Sequence, residues 1–183
     1  MCHSLPEPQD RNGVAMAISN ANGASVLVIG VGNENRGDDA VGLAVSRWLR
    51  EKVPHGAIVA EETGDGARLI ELWKGFELVV LVDAAKSGAA PGTIHKYEAH
   101  KSPLPTGLFS EEYSSHAFGI LRAIELARAM NQLPQRFLVY GIEGECFDEG
   151  AHMSPTIERA AHQLVELLTF ELLQMTEGIG NGN

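Results

Sequence analysis

The sequence predicts an α/β protein, a three-layer α/β/α sandwich around a mostly parallel, five-stranded sheet. Short runs of β-branched and other apolar residues, typical of strands, occur at residues 25–31, 57–60, 78–82, 93–98 and 136–142. Between them, apolar residues return at helical spacing, as in Val41, Ala44, Val45 and Trp48. Strands that alternate with amphipathic helices are typical of a parallel sheet covered on both faces.

The elements divide the chain into a leader, one domain and a tail. Residues 1–24 are rich in Pro, Asn, Gly and Ser, and we expect a flexible leader outside the fold. The domain is expected over residues 25–176, and residues 177–183 are expected to be disordered. Residues 93–98 follow a short turn after the strand at 78–82, so one antiparallel pairing is expected.

The second half of the domain is expected to carry two long loops. Residues 99–115 are irregular, and loops of this length in compact domains are usually functional or disordered. A helix then runs to about residue 130, with His116 in its first turn. After the last strand, residues 143–153 form a second loop. Ser154 is expected to cap the last helix and Pro155 to open it.

The composition excludes several classes of function. A net charge of −10 argues against a nucleic-acid or anionic-membrane partner. The two cysteines, Cys2 and Cys146, make neither a disulfide framework nor a zinc pattern, so a reducing cytoplasm is expected. No apolar run is long enough to span a membrane, and the first residues lack the features of a secretory signal.

Two adjacent acids mark the first strand-to-helix connection. Asp38 and Asp39 follow the strand at 25–31, where a carboxylate can cap a helix and suits its positive end. One Asp is enough for capping, so the second is available for chemistry. If Asp38 is only a cap or an anchor, an Asn in its place should cost little stability, because one acceptor oxygen remains.

Asp39, Asp83 and His116 come from three separate strand ends or helix starts. In such folds, sites form beyond the carboxyl ends of the strands, so the three are expected to converge there. Two carboxylates and an imidazole suit a divalent transition metal, and a helix start favours the neutral imidazole that ligates it. Each residue also has a structural alternative: Asp39 could complement a helix dipole, Asp83 could cap the next turn, and His116 could be a hydrogen-bonded core residue.

Other chemistries fit the sequence less well. Gly30 and Gly32 begin a G-x-G-x-x-G pattern, but residue 35 is Asn, and neither a P-loop nor a G-x-S-x-G nucleophile elbow occurs. Cys146 lies among three acids that disfavour its thiolate, so it is a poor nucleophile. Three further histidines are expected to be surface residues rather than ligands: His95, His100 and His152.

Four blocks of this sequence, in order, resemble the hydrogenase maturation endopeptidases. They are VLVIGVGNENRGDDAVG, LVVLVDAAKSGAAPGTI, SSHAFGILRAIELA and VYGIEGECFDEGAHMSPTIERA, and the resemblance spans about residues 25–172. It implies a cytoplasmic protease that trims a C-terminal peptide from the precursor of a [NiFe]-hydrogenase large subunit after nickel insertion. The family is classed with aspartic-type peptidases, although its site holds a metal.

The resemblance also implies roles for individual residues. The metal-binding acid of the family matches Asp39, a position at which the family often has Glu, and its strand-end Asp and helix-start His match Asp83 and His116. Nickel would come from the precursor, and other divalent metals could substitute for it. The catalytic candidates are Asp38, Asp39 and Asp83, with Asp38 either a general base or an anchor. A non-cleaving, nickel-dependent chaperone or checkpoint for the precursor remains the alternative.

Overall fold

The computed structural model describes residues 25–54, 56–105, 107–108 and 117–180. The leader predicted at residues 1–24 and the candidate ligand His116 lie outside the described residues. Within that part of the chain, no helix is both long and apolar enough to cross a membrane.

Five strands and four α-helices make up the described fold. The strands are β1 (Val26–Val31), β2 (Ala57–Glu62), β3 (Leu78–Ala85), β4 (Ile94–Glu98) and β5 (Arg136–Glu143). The helices are α1 (Val41–Leu49), α2 (Gly66–Trp73), α3 (Ala117–Ala129) and α4 (Pro155–Gly180), and a short 3₁₀ helix (Gly37–Ala40) precedes α1.

The sheet has the strand order β2-β1-β3-β5-β4. β1 pairs in parallel with β2 and β3, β3 pairs in parallel with β5, and β4 is antiparallel to β5. The predicted α/β class, the five strands and the one antiparallel pairing are therefore confirmed. Because the first four strands in this order are parallel, their carboxyl ends share one edge of the sheet.

Helices cover the sheet on both faces and bury two separate cores. On one face, α1 and α4 pack against alternate strand residues such as Val28, Val80 and Val82. On the other face, α2 and α3 pack against Ile29 and the intervening residues of β3. Side chains of a strand alternate between its two faces, so β3 contributes to both cores and is buried along its whole length.

The structure corrects the end of the third strand. The sequence predicted a strand that stops before Asp83, whereas β3 continues to Ala85 because its pairing with β5 continues to Glu143. Asp83 therefore lies inside the strand, opposite Gly141. Its Oδ1 atom accepts a hydrogen bond from the next residue of the strand, Ala84, so the alternative that Asp83 caps a turn is wrong.

The last helix also runs further than the sequence predicted. The tail was expected to begin at residue 177, but α4 continues to Gly180. A glycine in a helix costs only about 1 kcal/mol relative to alanine, which does not by itself end a long helix. Residues 181–183 lie outside the described part of the chain.

Candidate active site

The first strand-to-helix connection is held against the carboxyl edge of the sheet. The 3₁₀ helix carries the two adjacent acids, and α1 begins directly after it. Gly42, in the first turn of α1, packs so closely that a Cβ atom there would lie 2.2 Å from the Val31 carbonyl oxygen and 2.4 Å from that of Val82. The acids therefore lie over the ends of β1 and β3, where ligand sites form in open α/β sheets.

Asp83 brings a second carboxylate to the same edge. The side chains of Asp39 and Asp83 are both fully buried. Oδ1 of Asp83 accepts a hydrogen bond from the Ala84 N–H at 2.8 Å, and Oδ2 has no hydrogen-bond partner among the described residues. Burial, together with the negative charge of Asp39, raises the pKa of Asp83 well above its ordinary value. The structure thus brings two of the three predicted metal ligands together.

Asp38 is buried beside them, but its carboxylate faces the other way, into the loop that follows β5. Oδ2 accepts hydrogen bonds from the N–H groups of Glu145 at 2.9 Å and Cys146 at 2.8 Å. Ser154 donates twice, from its N–H to Oδ1 at 2.6 Å and from its hydroxyl to Oδ2 at 3.1 Å. Three of these four bonds are to Oδ2 and one is to Oδ1, so both oxygens are held in place, which favours the anchor over the general base.

Ser154 directly precedes α4, as predicted, but it is not the side-chain cap that the sequence suggested. Its carbonyl oxygen accepts hydrogen bonds from the N–H groups of Ile157 and Glu158, both at 2.9 Å. Its hydroxyl donates to Asp38 instead of accepting from the first turn. Among the described residues, Asp65 does provide a side-chain cap: it accepts from the Arg68 N–H at 3.0 Å at the start of α2.

The donor chemistry of the site suits a divalent cation. Two buried carboxylates that repel each other, one with an oxygen lacking any partner in the described structure, would be stabilised by a positive charge. Across the described residues, no group of three His, Cys, Asp or Glu side chains is arranged to hold a metal ion. His116, the third predicted ligand, immediately precedes α3 in the chain, and its role as a ligand stays a prediction.

Glu143 is a buried carboxylate that sequence reasoning did not single out. Its Oε1 accepts from the N–H groups of Gly88 at 2.7 Å and Ala89 at 3.1 Å, and its Oε2 accepts from the Ser87 hydroxyl at 2.8 Å. Burial acts to raise the pKa of Glu143, but the hydrogen bonds from Ser87, Gly88 and His95 outweigh it and lower that pKa. Glu143 therefore fixes the turn between β3 and β4. The sequence indicated it only as an acid that ends an apolar run.

Two of the three histidines expected at the surface are partly buried. His95 Nε2 lies 3.2 Å from Glu143 Oε2 and 3.4 Å from the Ser87 hydroxyl. In a catalytic triad, the nucleophile and the acid contact opposite nitrogens of the imidazole ring. Here Ser87 and Glu143 both lie near Nε2 of His95, so the three residues do not form a catalytic triad. His100 Nδ1 lies 3.2 Å from both the backbone nitrogen and the carbonyl oxygen of Phe137, whereas His152 is exposed as expected.

The fold and the buried acids at its strand ends define a small α/β protein with a carboxylate site. A family model for hydrogenase maturation proteases matches residues 59–171. Because this match covers more than half of the chain, the protein belongs to the hydrogenase maturation protease family. The resemblance found in the four sequence blocks is thereby confirmed, and the family supports a protease that acts in hydrogenase maturation.

Individual relatives agree with this assignment. The chain is 26% identical over 152 residues to the hydrogenase expression/formation protein HupD of Thiocapsa roseopersicina, covering 81% of this chain and 68% of that protein. It is 24% identical over 144 residues to the hydrogenase 2 maturation protease of Escherichia coli, covering 77% and 86%. The solved structure of the hydrogenase maturating endopeptidase HybD from E. coli superposes with a TM-score of 0.69 at 23% identity, covering 82% and 93%, and it shows the shared fold.

Proposed function

We propose that this protein is an endopeptidase that removes a C-terminal peptide from the nickel-loaded precursor of a [NiFe]-hydrogenase large subunit. Its family supports a protease of hydrogenase maturation. The observation that best supports action on a nickel-loaded precursor is the buried pair Asp39 and Asp83 at the carboxyl edge of the sheet. One oxygen of Asp83 lacks a hydrogen-bond partner in the described structure. We place the reaction in the reducing cytoplasm, because the chain has only two cysteines.

The carboxylate pair explains how the chain would recognise its substrate. Nickel arrives bound to the precursor, and Asp39, Asp83 and His116 are the side chains that we propose meet it there. A nickel ion in this position would supply recognition of the loaded precursor, polarisation of the scissile carbonyl or activation of water. Burial of the two acids strengthens their interaction with a cation, because little solvent screens the charges.

Hydrolysis adds water across the scissile peptide bond. The hydroxide adds to the carbonyl carbon, and the leaving nitrogen takes a proton as the bond breaks. A carboxylate at the edge of the sheet can accept the proton from water and return it to the leaving nitrogen. We assign this task to Asp39 or Asp83 rather than Asp38, whose carboxylate is held by four hydrogen bonds from the loop after β5 and from Ser154.

The decisive experiment incubates this protein with a nickel-loaded large-subunit precursor and with the same precursor lacking nickel. Mass spectrometry of the large subunit then measures the loss of its C-terminal peptide. We expect shortening of the loaded precursor alone. A stable complex without shortening would instead support the non-cleaving checkpoint, which membership of a protease family does not favour.

Substitutions at Asp39 test the role of the carboxylate pair in the same assay. Asp39→Asn keeps the shape but removes the charge, so we expect processing to fall by at least about 100-fold. Asp39→Glu keeps the charge and matches the residue common at this position in the family, so it should retain measurable activity. Glu98→Gln, which neutralises an exposed acid on β4, is the matched control and should process at the wild-type rate. Equal activity in Asp39→Asn and the wild type would refute the assignment.

A further inference from the structure

The loop that follows β5, residues 144–154, is hydrogen-bonded at several positions to residues 33–40, the acidic segment before α1. The Asp38 N–H donates to the Cys146 carbonyl at 2.8 Å, and the Gly150 N–H donates to the Asn35 carbonyl at 2.7 Å. At Gly37, where φ is +53°, a Cβ atom would lie 2.5 Å from the Cys146 carbonyl oxygen. The two backbones therefore pack directly against each other, which only a glycine at this position permits.

The Asp38 carboxylate completes this junction, and Ser154 supplies half of its hydrogen bonds. Two of the four donors belong to Ser154, one from its backbone and one from its hydroxyl. Ser154 stands at the amino end of α4, whose positive dipole also favours the charge of Asp38. The hydroxyl at this position would ordinarily accept from the first turn of the helix, so its use as a donor to Asp38 ties α4 to the acidic segment.

Any displacement of Asp38 reaches Asp39, because the two residues share a peptide bond. The backbone of Asp39 is held on both sides: its N–H donates to the Arg36 carbonyl at 3.0 Å, and its carbonyl accepts from the Asn33 N–H at 3.2 Å. These bonds close a tight turn over the end of β1. Side chains also attach this turn to its neighbours: Glu34 pairs with Arg47 of α1, and the carboxylate of Asp38 accepts from Ser154 and from the loop after β5.

We propose that Ser154 is a positioning residue for the peptidase reaction, acting through Asp38 to fix the carboxylate of Asp39 in the site. This inference rests on the proposed function. Ser154 itself touches neither metal nor substrate: it holds Asp38, and Asp38 holds the segment that presents Asp39. Groups that hydrogen-bond directly to a metal ligand typically contribute about 10- to 100-fold to metal affinity or activity. Ser154 lies one step further from the ligand, so we expect an effect near the lower end of that range.

The test compares four proteins in the precursor-processing assay: the wild type, Ser154→Ala, Ser154→Thr and Thr169→Ala. Ser154→Ala removes the hydroxyl donor and keeps the N–H bond to Asp38. Ser154→Thr restores a hydroxyl. Thr169→Ala is the matched control, since that hydroxyl also lies on α4 but donates only to the Val165 carbonyl within the helix.

We expect Ser154→Ala to lower kcat about tenfold while KM for the precursor stays within about twofold, because the loss affects the placement of a reacting group rather than substrate binding. The kcat of Ser154→Thr should lie within about threefold of the wild-type value, and the kcat of Thr169→Ala should equal the wild-type value. Hydrogen exchange provides a readout that does not depend on activity. The amides of Glu145 and Cys146, which donate to Asp38, should exchange faster in Ser154→Ala and not in Thr169→Ala.

The outcomes separate this inference from the proposed function. If the wild type does not shorten the loaded precursor, the proposed function fails. If the wild type is active and Ser154→Ala matches it in kcat, the positioning role is wrong while the function stands. Equal losses of kcat in Ser154→Ala and Thr169→Ala would also overturn the positioning role, because they would reflect a general weakening of α4. Circular dichroism identifies any variant that has lost its fold.

Discussion

Asp38 and Asp39 are neighbours in the chain, yet they have different tasks. The carboxylate of Asp38 accepts four hydrogen bonds from the loop after β5 and from Ser154. The charge of Asp39 acts on Asp83, whose pKa is raised by burial and by that charge. One acid therefore holds the structure of the site, and the other is the acid that we propose contributes to its chemistry.

This difference predicts the cost of Asp38→Asn. From the sequence, an amide was expected to cost little, because it keeps one acceptor oxygen. In the structure, the amide NH₂ would face a backbone N–H group of Ser154 or of Glu145, leaving partly buried donors without acceptors. At about 1–3 kcal/mol for each such group, we expect Asp38→Asn to lower the unfolding free energy by about 2–4 kcal/mol in urea titrations. Glu149→Gln, an exposed acid of the same loop, should change it by less than about 0.5 kcal/mol.

At the scale of secondary-structure elements, the backbone of α1 packs directly against the sheet at Gly42. In an exposed helix, Gly→Ala usually stabilises by about 1 kcal/mol. At Gly42 the new Cβ would lie 2.2 Å and 2.4 Å from two strand carbonyl oxygens, and backbone atoms cannot move aside as a flexible side chain can. We expect Gly42→Ala to lower the unfolding free energy by more than about 2 kcal/mol. Ala44→Gly, in the same helix, should cost only about 1 kcal/mol, and equal costs would contradict the steric argument.

The β3–β4 turn provides a prediction of pH dependence. Hydrogen bonds lower the pKa of Glu143 against the effect of burial, so its contribution to stability is present above the ordinary Glu value and is lost as pH falls through the lowered pKa. Glu143→Gln should therefore be less stable than the wild type at pH 7, and the difference should shrink in acid below about pH 4. Urea unfolding at several pH values measures this. Glu98→Gln should change the pH dependence far less: Lys101 lowers the pKa of Glu98, but both side chains are exposed and solvent screens the pair.

These elements show what the sequence could and could not predict. The strand runs and the helical spacing predicted all five strands, because apolar periodicity depends on which face is buried. The end of β3 was missed because pairing with β5, a contact distant in sequence, extends the strand through Asp83. The hydroxyl bond from Ser154 to Asp38 was missed for the same reason, since 116 positions separate the two residues. Local patterns predicted that Asp39 and Asp83 would lie together at the edge of the sheet, but not which atoms the acids contact.

For the molecule as a whole, the apolar cores and the candidate site lie in different regions. Two apolar cores cover the faces of the sheet, whereas the buried acids lie together at its carboxyl edge. A buried charge without a full set of partners weakens a fold, and proteins retain such groups where function requires them. Asp83 and Glu143 make this contrast measurable, because both are buried acids of neighbouring strands but only Glu143 has a hydrogen-bond partner for each oxygen among the described residues.

Asp83→Asn should therefore stabilise the metal-free protein while abolishing processing of the nickel-loaded precursor. The amide retains an oxygen that can accept from the Ala84 N–H, and it removes a charge that burial and Asp39 both oppose. We expect a gain of about 1 kcal/mol, which for a protein of this size raises Tm by roughly 2–4 °C. Thermal unfolding in the presence of a chelator measures the shift, and Glu143→Gln should move Tm in the opposite direction. A lower Tm for Asp83→Asn would mean that the Asp83 charge stabilises the fold, and the carboxylate pair would then be a structural feature rather than a site kept for binding a cation.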